Sequence, residues 1–274
     1  MGEHLLVDSN MIEAPELAQF LADGSGNLAI LSIEVWFELY KQRSVGALRR
    51  GLEIVGRYPG QVLGLRPTGE ILRLDPVSPG LVDRMIDRGA GRAIGEMLLA
   101  LGNGEAAAGI EQQLRSKWDR AVKDNEGMLE GAMDVLASLP EMQGQLFSAP
   151  EVGIIRRNER YTLGMFGTIF GAAEQLCEAF CGALGMAHVD HGPAKSATLQ
   201  FRIALGIVIY LLWWISKGSQ SRKKLEATRN DILDLFLAAQ ATYFDGFFTR
   251  DAKASWIHAN LEGALGAYRC ARTA

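Results

Sequence analysis

The chain is short of cysteine, proline, long apolar runs and any excess of one charge. Three cysteines in 274 residues exclude a disulfide framework and fit a reducing compartment, so the expected location is cytoplasmic. Eight prolines and no glycine triplet pattern exclude collagen-like and proline-rich architectures. There is no internal repeat. Lys and Arg number 28 against 32 Asp and Glu, a net charge of −4. That balance excludes a protein coated in positive charge but leaves room for a local nucleic-acid groove. The longest uncharged apolar segment, Ile203–Ile215, has 13 residues, whereas a spanning helix needs about 20. It reads as a buried core helix, and no membrane partner is expected. The opening MGEHLLVDSN lacks the basic start and longer apolar stretch of a signal peptide.

What is present is an ordinary globular composition, 48% hydrophobic and 22% charged, with length for one large domain or two modest ones. The first 43 residues read as strand, helix, strand, helix. Leu5–Val7 is a short apolar run ending at Asp8. A helix over Ala14–Ala22 has Pro15 in its first turn and is stopped by Asp23-Gly24-Ser25-Gly26-Asn27. Leu28–Ile33 is a second apolar run, and Ser32 to Gln42 passes into a helix. Two such runs joined by a helix predict a βαβ unit and a parallel sheet. Residues 45–58 read as helical, and Val62–Leu65 with Ile71–Leu74 read as a hairpin around Arg66–Glu70. From Gly80 to Lys217 helical spacing dominates, over 94–101, 106–122, 128–139, 161–184 and 199–215. A helix over Arg229–Ala241, a strand over Gly246–Thr249 and a final helix over Ala252–Ala267 close the chain. The expected organisation is an α/β domain built from residues 1–79 and 218–274, interrupted by a large all-helical insertion over 80–217.

The acids sit at telling positions. Asp8 ends the first strand, Glu38 lies on the helix after the second, Asp231 and Asp234 open the helix at 229, and Asp251 follows the last apolar run. In an open parallel sheet, ligands bind outside the carboxyl ends of the strands. Three or four carboxylates converging there repel one another and call for a cation, Mg²⁺ or Mn²⁺ by their all-oxygen chemistry.

The segments LLVDSN (5–10), SIEVWFEL (32–39) and NDILDLFLAAQATYFDGFFTRD (230–251) resemble the acidic motifs of PIN-domain nucleases. The resemblance implies a PIN-like parallel sheet flanked by helices. It also implies hydrolysis of phosphodiesters, most often in RNA, with Asp8, Glu38, Asp234 and Asp251 as the metal-binding acids. Asp231 is a further candidate ligand. One or two Mg²⁺ or Mn²⁺ ions would polarise the phosphate and lower the pKa of an attacking water, so no protein nucleophile is needed. Asn10 and Thr249 are candidates to orient water or phosphate. Lys217, Arg222, Lys223 and Lys224, in the basic stretch 217–229, are candidates to meet the nucleic-acid backbone. The toxin members of the family imply an inhibitory protein partner. Two other readings stand beside this one: a DNA-cleaving enzyme on the same fold, and a non-catalytic helical interaction protein or homo-oligomer whose apolar helices and Trp213-Trp214 pair serve partner burial.

Plainer roles fit several of these residues. Asn230 or Asp231 reads equally as a helix N-cap, Asp245 as a turn residue, and Glu34 as a solvated acid of the first helical turn. Cys177 and Cys181, four apart, read as buried small hydrophobes. His188 to His191 lacks partners at zinc spacing and reads as a surface turn. Arg49, Arg50, Arg156, Arg157 and Arg160 are further phosphate-contact candidates.

Overall fold

The computed structural model describes residues 2–102, 112, 114–119, 123, 134–135, 137–186, 192–219 and 225–273. The chain divides into two compact units. One comprises Met1–Ile71, Val82–Met128 and Ala241–Ala252; the other comprises Leu72–Leu81, Leu129–Gln240 and Lys253–Ala274. The division passes through the third expected segment: Ala241–Ala252 falls with the sheet, and the stretches on either side of it fall with the helices.

The first unit holds a five-stranded sheet. Its strands are β1 (His4–Val7), β2 (Leu28–Leu31), β3 (Val62–Leu65), β4 (Ile86–Asp87) and β5 (Gly246–Phe248), in the order β4-β3-β2-β1-β5. β1 pairs in parallel with β2 and β5, and β2 in parallel with β3. β4 runs antiparallel to β3, so the sheet is mixed rather than wholly parallel. Leu6, Val7, Ala29, Ile30, Leu31 and Val62 are buried, as expected for short strands covered on both faces. Each Leu, Ile or Val side chain among these contributes roughly 1.5–3 kcal/mol on burial.

Helices connect these strands. α1 (Pro15–Asp23) turns Leu17 and Leu21 inward, and α2 (Ile33–Lys41) does the same with Val35 and Leu39. After them come α3 (Val45–Gly51) and α4 (Glu53–Arg57). The Gln61 side-chain nitrogen lies 2.9 Å from the carbonyl oxygens of Leu21, Gly24 and Asn27, pinning the turn between α1 and β2. The expected hairpin is absent. Val62–Leu65 is a strand, but Thr68–Ile71 forms the short helix α5, leading to α6 (Leu81–Met85). The partner on that side of β3 is the two-residue β4, which no sequence pattern signalled. Beyond it lies α7 (Ala90–Gly102). The segments expected to be helical over 106–122 and 128–139 lie largely outside the described residues.

The second unit is mainly helical where described. It holds α8 (Ala149–Arg156), α9 (Leu163–Ala183), α10 (Gly192–Ala197), α11 (Leu199–Ser216), α12 (Leu225–Ala241) and most of α13 (Ala252–Thr273). Thr162 and Thr198 cap α9 and α11 by accepting from the backbone N–H of Met165 and Phe201, each at 3.2 Å. A reciprocal pairing of Ser148 with Glu151 starts α8. α11 is long and apolar enough to cross a membrane by length and composition, yet 89% of it is buried inside the protein, where it packs chiefly on α9. Tyr268 is enclosed by Phe201 and Phe170, with ring centroids 4.5 and 5.3 Å away. Cys177 and Cys181 are buried thiols on α9, whereas Cys270 is exposed. Burial and the neighbouring Cys181 push the Cys177 thiol up to about 12. α12 begins at Leu225, so Asn230 and Asp231 lie inside it and neither caps it.

Candidate functional site

The carboxyl ends of β1 and β5 bring together residues 241 positions apart. β1 and β5 are in register at Val7 and Phe248, and the Asp8 N–H continues the ladder to the Phe248 carbonyl at 3.0 Å. The next residues on the two strands are therefore Asp8 and Thr249. Thr249 Oγ1 donates to Asp8 Oδ2 at 2.6 Å, and Asn10 Nδ2 donates to the same oxygen at 2.6 Å. Asn10 Nδ2 also lies 3.2 Å from Thr249 Oγ1, and Ser9 Oγ donates to Asp8 Oδ1 at 3.3 Å. The Asn10 side-chain Oδ1 accepts the Arg250 backbone N–H at 3.2 Å, and Thr249 Oγ1 accepts the Asp251 backbone N–H at 3.0 Å. Asp8, Asn10, Thr249 and Asp251 thus form one hydrogen-bonded chain across the strand ends.

Asp8 is only 4% exposed. Burial raises its carboxyl above the usual carboxylate range, against the lowering effect of hydrogen bonds from Thr249, Ser9 and Asn10. All three are neutral groups, and among the described residues no lysine, arginine or histidine is paired with it. The flanking Arg250 is directed elsewhere, to Glu16 Oε2 at 2.5 Å on the surface.

The other candidate acids are placed differently. Glu38 is half-buried on α2 and forms an i,i+3 pair with Lys41 at 3.2 Å. Asp231 and Asp234 belong to the second unit, where Lys253 reaches both of them, Asp234 at 2.7 Å, and Tyr210 donates its hydroxyl to Asp231 at 2.6 Å. Asp245 lies at the opposite end of β5 and brackets the start of β1, accepting the His4 N–H at 2.8 Å through Oδ2. Glu34, expected to be solvated, is instead 3% exposed and accepts the Thr68 hydroxyl at 2.8 Å. Its position in the first turn of α2 sets it beside the loop that leaves β3, a burial that helical spacing does not reveal.

Among the described residues, no three His, Cys, Asp or Glu side chains are gathered closely enough to form a metal cage. The donors of the first unit nonetheless suit a hard cation. Asp8 is a buried carboxylate with neutral partners, and Asn10, Thr249 and Asp251 add only oxygen or amide groups. Mg²⁺ keeps several waters and takes one or two protein carboxylates together with substrate phosphate, a demand this set meets in its chemistry.

Of the basic candidates, Lys217 is exposed at the end of α11, while Arg222, Lys223 and Lys224 lie outside the described residues, as do His188 to His191. Arg49 and Arg50 are exposed in the last turn of α3. Arg157 is engaged by Glu159, and Arg156 contacts Ser219. No family model, curated protein or solved structure matches this chain.

Proposed function

We propose that the chain is a divalent-metal-dependent hydrolase of phosphodiester bonds, with RNA as the favoured substrate, acting at the strand ends around Asp8. The observation that carries this reading is a buried carboxylate at the carboxyl edge of the sheet, hydrogen-bonded among the described residues by neutral groups. A buried charge without a counter-charge is costly, and a bound cation is a direct way of supplying one. Asp8, with Asp251 beside it, would hold Mg²⁺ or Mn²⁺, which when bound supplies Lewis-acid polarisation of a phosphate and a more acidic water.

The chain's own groups do the rest. Thr249 and Asn10 fix the Asp8 carboxylate in one orientation and occupy one of its oxygens, leaving Oδ1 with the weaker Ser9 contact. Asn10 is itself exposed, but its amide N–H groups are engaged by Asp8 and Thr249, so its part is to position the carboxylate. The choice of RNA rests on the resemblance to PIN-domain nucleases in the acidic motifs.

The test is hydrolysis of generic RNA with Mn²⁺ or Mg²⁺, comparing the wild type with Asp8→Asn. Metal-dependent cleavage that falls at least a hundredfold in the variant supports the reading. Equal cleavage in both, or none in either across several RNAs and DNAs, overturns it. Competition between single-stranded DNA and RNA of equal length decides the substrate class.

A further inference from the structure

Resting on that reading, we propose that Arg250 binds a backbone phosphate of the nucleic acid at this edge, its guanidinium exchanging from Glu16 to the phosphate when the substrate arrives. The need is one of charge. Asp8 and Asp251 are acids, and the neutral donors around Asp8 are already committed to it: Thr249 Oγ1 and Asn10 Nδ2 both meet its Oδ2. A phosphodiester brings a negative charge of its own and needs a cationic donor from the chain to seat it there. Arg250 stands between Thr249 and Asp251, and its backbone is fixed in place. The Arg250 N–H donates to Asn10 Oδ1 at 3.2 Å, and the next N–H, of Asp251, donates to Thr249 Oγ1 at 3.0 Å. Movement of Arg250 is therefore confined to its side chain.

The present partner suits such an exchange. Glu16 lies in the first turn of α1, the helix that follows Asp8 in the chain. Its Oε1 and Oε2 accept from Arg250 at 2.6 and 2.5 Å, both through Nη2. The pair therefore uses one guanidinium nitrogen rather than the two of a fork. Both side chains are about half exposed, 53% for Arg250 and 54% for Glu16, and an ion pair in that setting is weak and screened by salt. A phosphate, by contrast, takes two guanidinium nitrogens in parallel, a geometry that Arg provides and Lys does not. Glu16 keeps a favourable place without its partner, because an acid in the first turn of a helix is stabilised by the helix dipole. The exchange thus gives up a single-nitrogen contact and gains a two-nitrogen one beside the proposed reacting edge.

The experiment measures binding of a fluorescently labelled single-stranded RNA to the full chain by anisotropy in EDTA, and its hydrolysis with Mn²⁺. Thermal melts confirm that each variant is folded. Arg250→Ala should weaken binding at least fivefold, raise KM more than it lowers kcat, and reduce the slope of log affinity against log salt by about 0.7, one phosphate contact. Arg250→Lys, which keeps the charge without the fork and folds if any variant does, should recover only part of the affinity. Arg57, before the start of β3 at the opposite edge of the sheet, forms a similarly exposed pair with Glu53, and Arg57→Ala should leave binding within twofold. Glu16→Gln should tighten binding at least twofold when Arg250 is present and not in the Arg250→Ala background. Binding within twofold of wild type in Arg250→Ala, a loss equalled by Arg57→Ala, or the same Glu16→Gln gain in both backgrounds overturns the proposal. If the wild type cleaves RNA and Arg250→Ala keeps its KM, only Arg250 is misassigned. If Arg250→Ala loses binding but the wild type cleaves nothing, the phosphate contact stands and the hydrolase reading falls. A wild type that binds no RNA overturns both.

Discussion

Thr249 donates its hydroxyl to Asp8 Oδ2 at 2.6 Å, joining the ends of two neighbouring parallel strands that are 241 residues apart in the chain. The same oxygen atom of Thr249 accepts the Asp251 N–H at 3.0 Å and lies 3.2 Å from Asn10 Nδ2. One hydroxyl therefore orients the Asp8 carboxylate and anchors the backbone of Asp251. Hydrogen bonds to charged groups contribute about 1.5–3 kcal/mol. Thr249→Val, which keeps the shape and removes the hydroxyl, should lower stability by about 1–3 kcal/mol and reduce RNA hydrolysis, whereas Thr249→Ser should retain most of both. Urea unfolding and initial rates measure the pair. A valine variant with wild-type values in both would show that Asp8 needs no help from β5.

The entry to β3 depends on a glycine. A Cβ on Gly91, in α7, would lie 2.1 Å from the Pro59 carbonyl oxygen and 2.6 Å from that of Val62. Both are backbone atoms, so no side chain can swing away. Gly91→Ala should cost about 3 kcal/mol or more, at the upper end for overpacking. Gly60→Ala meets open space and should stay within about 1 kcal/mol. Similar urea midpoints for the two variants would contradict the close approach of α7 to β3.

The parts of this arrangement that could be read in the sequence are those with a local signal. β1, β2, β3 and β5 are apolar runs bounded by acids, turns or a proline. Asp8 and Asp251 stand out because each ends such a run. β4 is only two residues long, too short for any periodicity. Ile71, Leu72 and Leu74 mimic a strand by composition, but Ile71 is buried as the end of the short helix α5 instead. Glu34 and Glu38 share a helical face, so spacing alone ranks them equally. What separates them is tertiary: Thr68, from the loop after β3, reaches Glu34, whereas Lys41 draws Glu38 to the surface. The pairing of Lys253 with Asp231 and Asp234 spans about 20 residues and follows no spacing rule.

A pH dependence of stability follows from Glu174 in the second unit. Burial alone would raise its carboxyl, but the Tyr268 hydroxyl, at 2.6 Å, and the Arg272 guanidinium outweigh it, so the net shift is downward. An acid whose pKa is lower in the folded state stabilises the fold above its unfolded pKa, about 4.3. That contribution disappears as pH falls through the lower folded value. Glu174→Gln should therefore be less stable than wild type at pH 7, with the gap closing as pH falls below about 4. Urea midpoints from pH 3 to 7 give the answer. A gap that stays constant would assign the effect to packing rather than charge.

Lys253 offers the sharpest energetic test. Its ammonium pairs with both Asp231 and Asp234, and the three side chains are 12%, 1% and 17% exposed. Tyr210 adds a neutral hydrogen bond to Asp231 but no charge. Removing one partner of a buried ion pair costs about 3–5 kcal/mol, because the remaining charge has lost its compensation. Here two carboxylates would lose the cation they share, so Lys253→Met should sit at the upper end of that range. Replacing the acids as well, in Lys253→Met with Asp231→Asn and Asp234→Asn, removes both carboxylate charges and should recover at least half of the loss. Additivity across the three substitutions would mean that the groups do not interact. A Lys253→Met protein within about 1 kcal/mol of wild type would show that this cluster is solvated rather than a buried ionic link between α12 and α13.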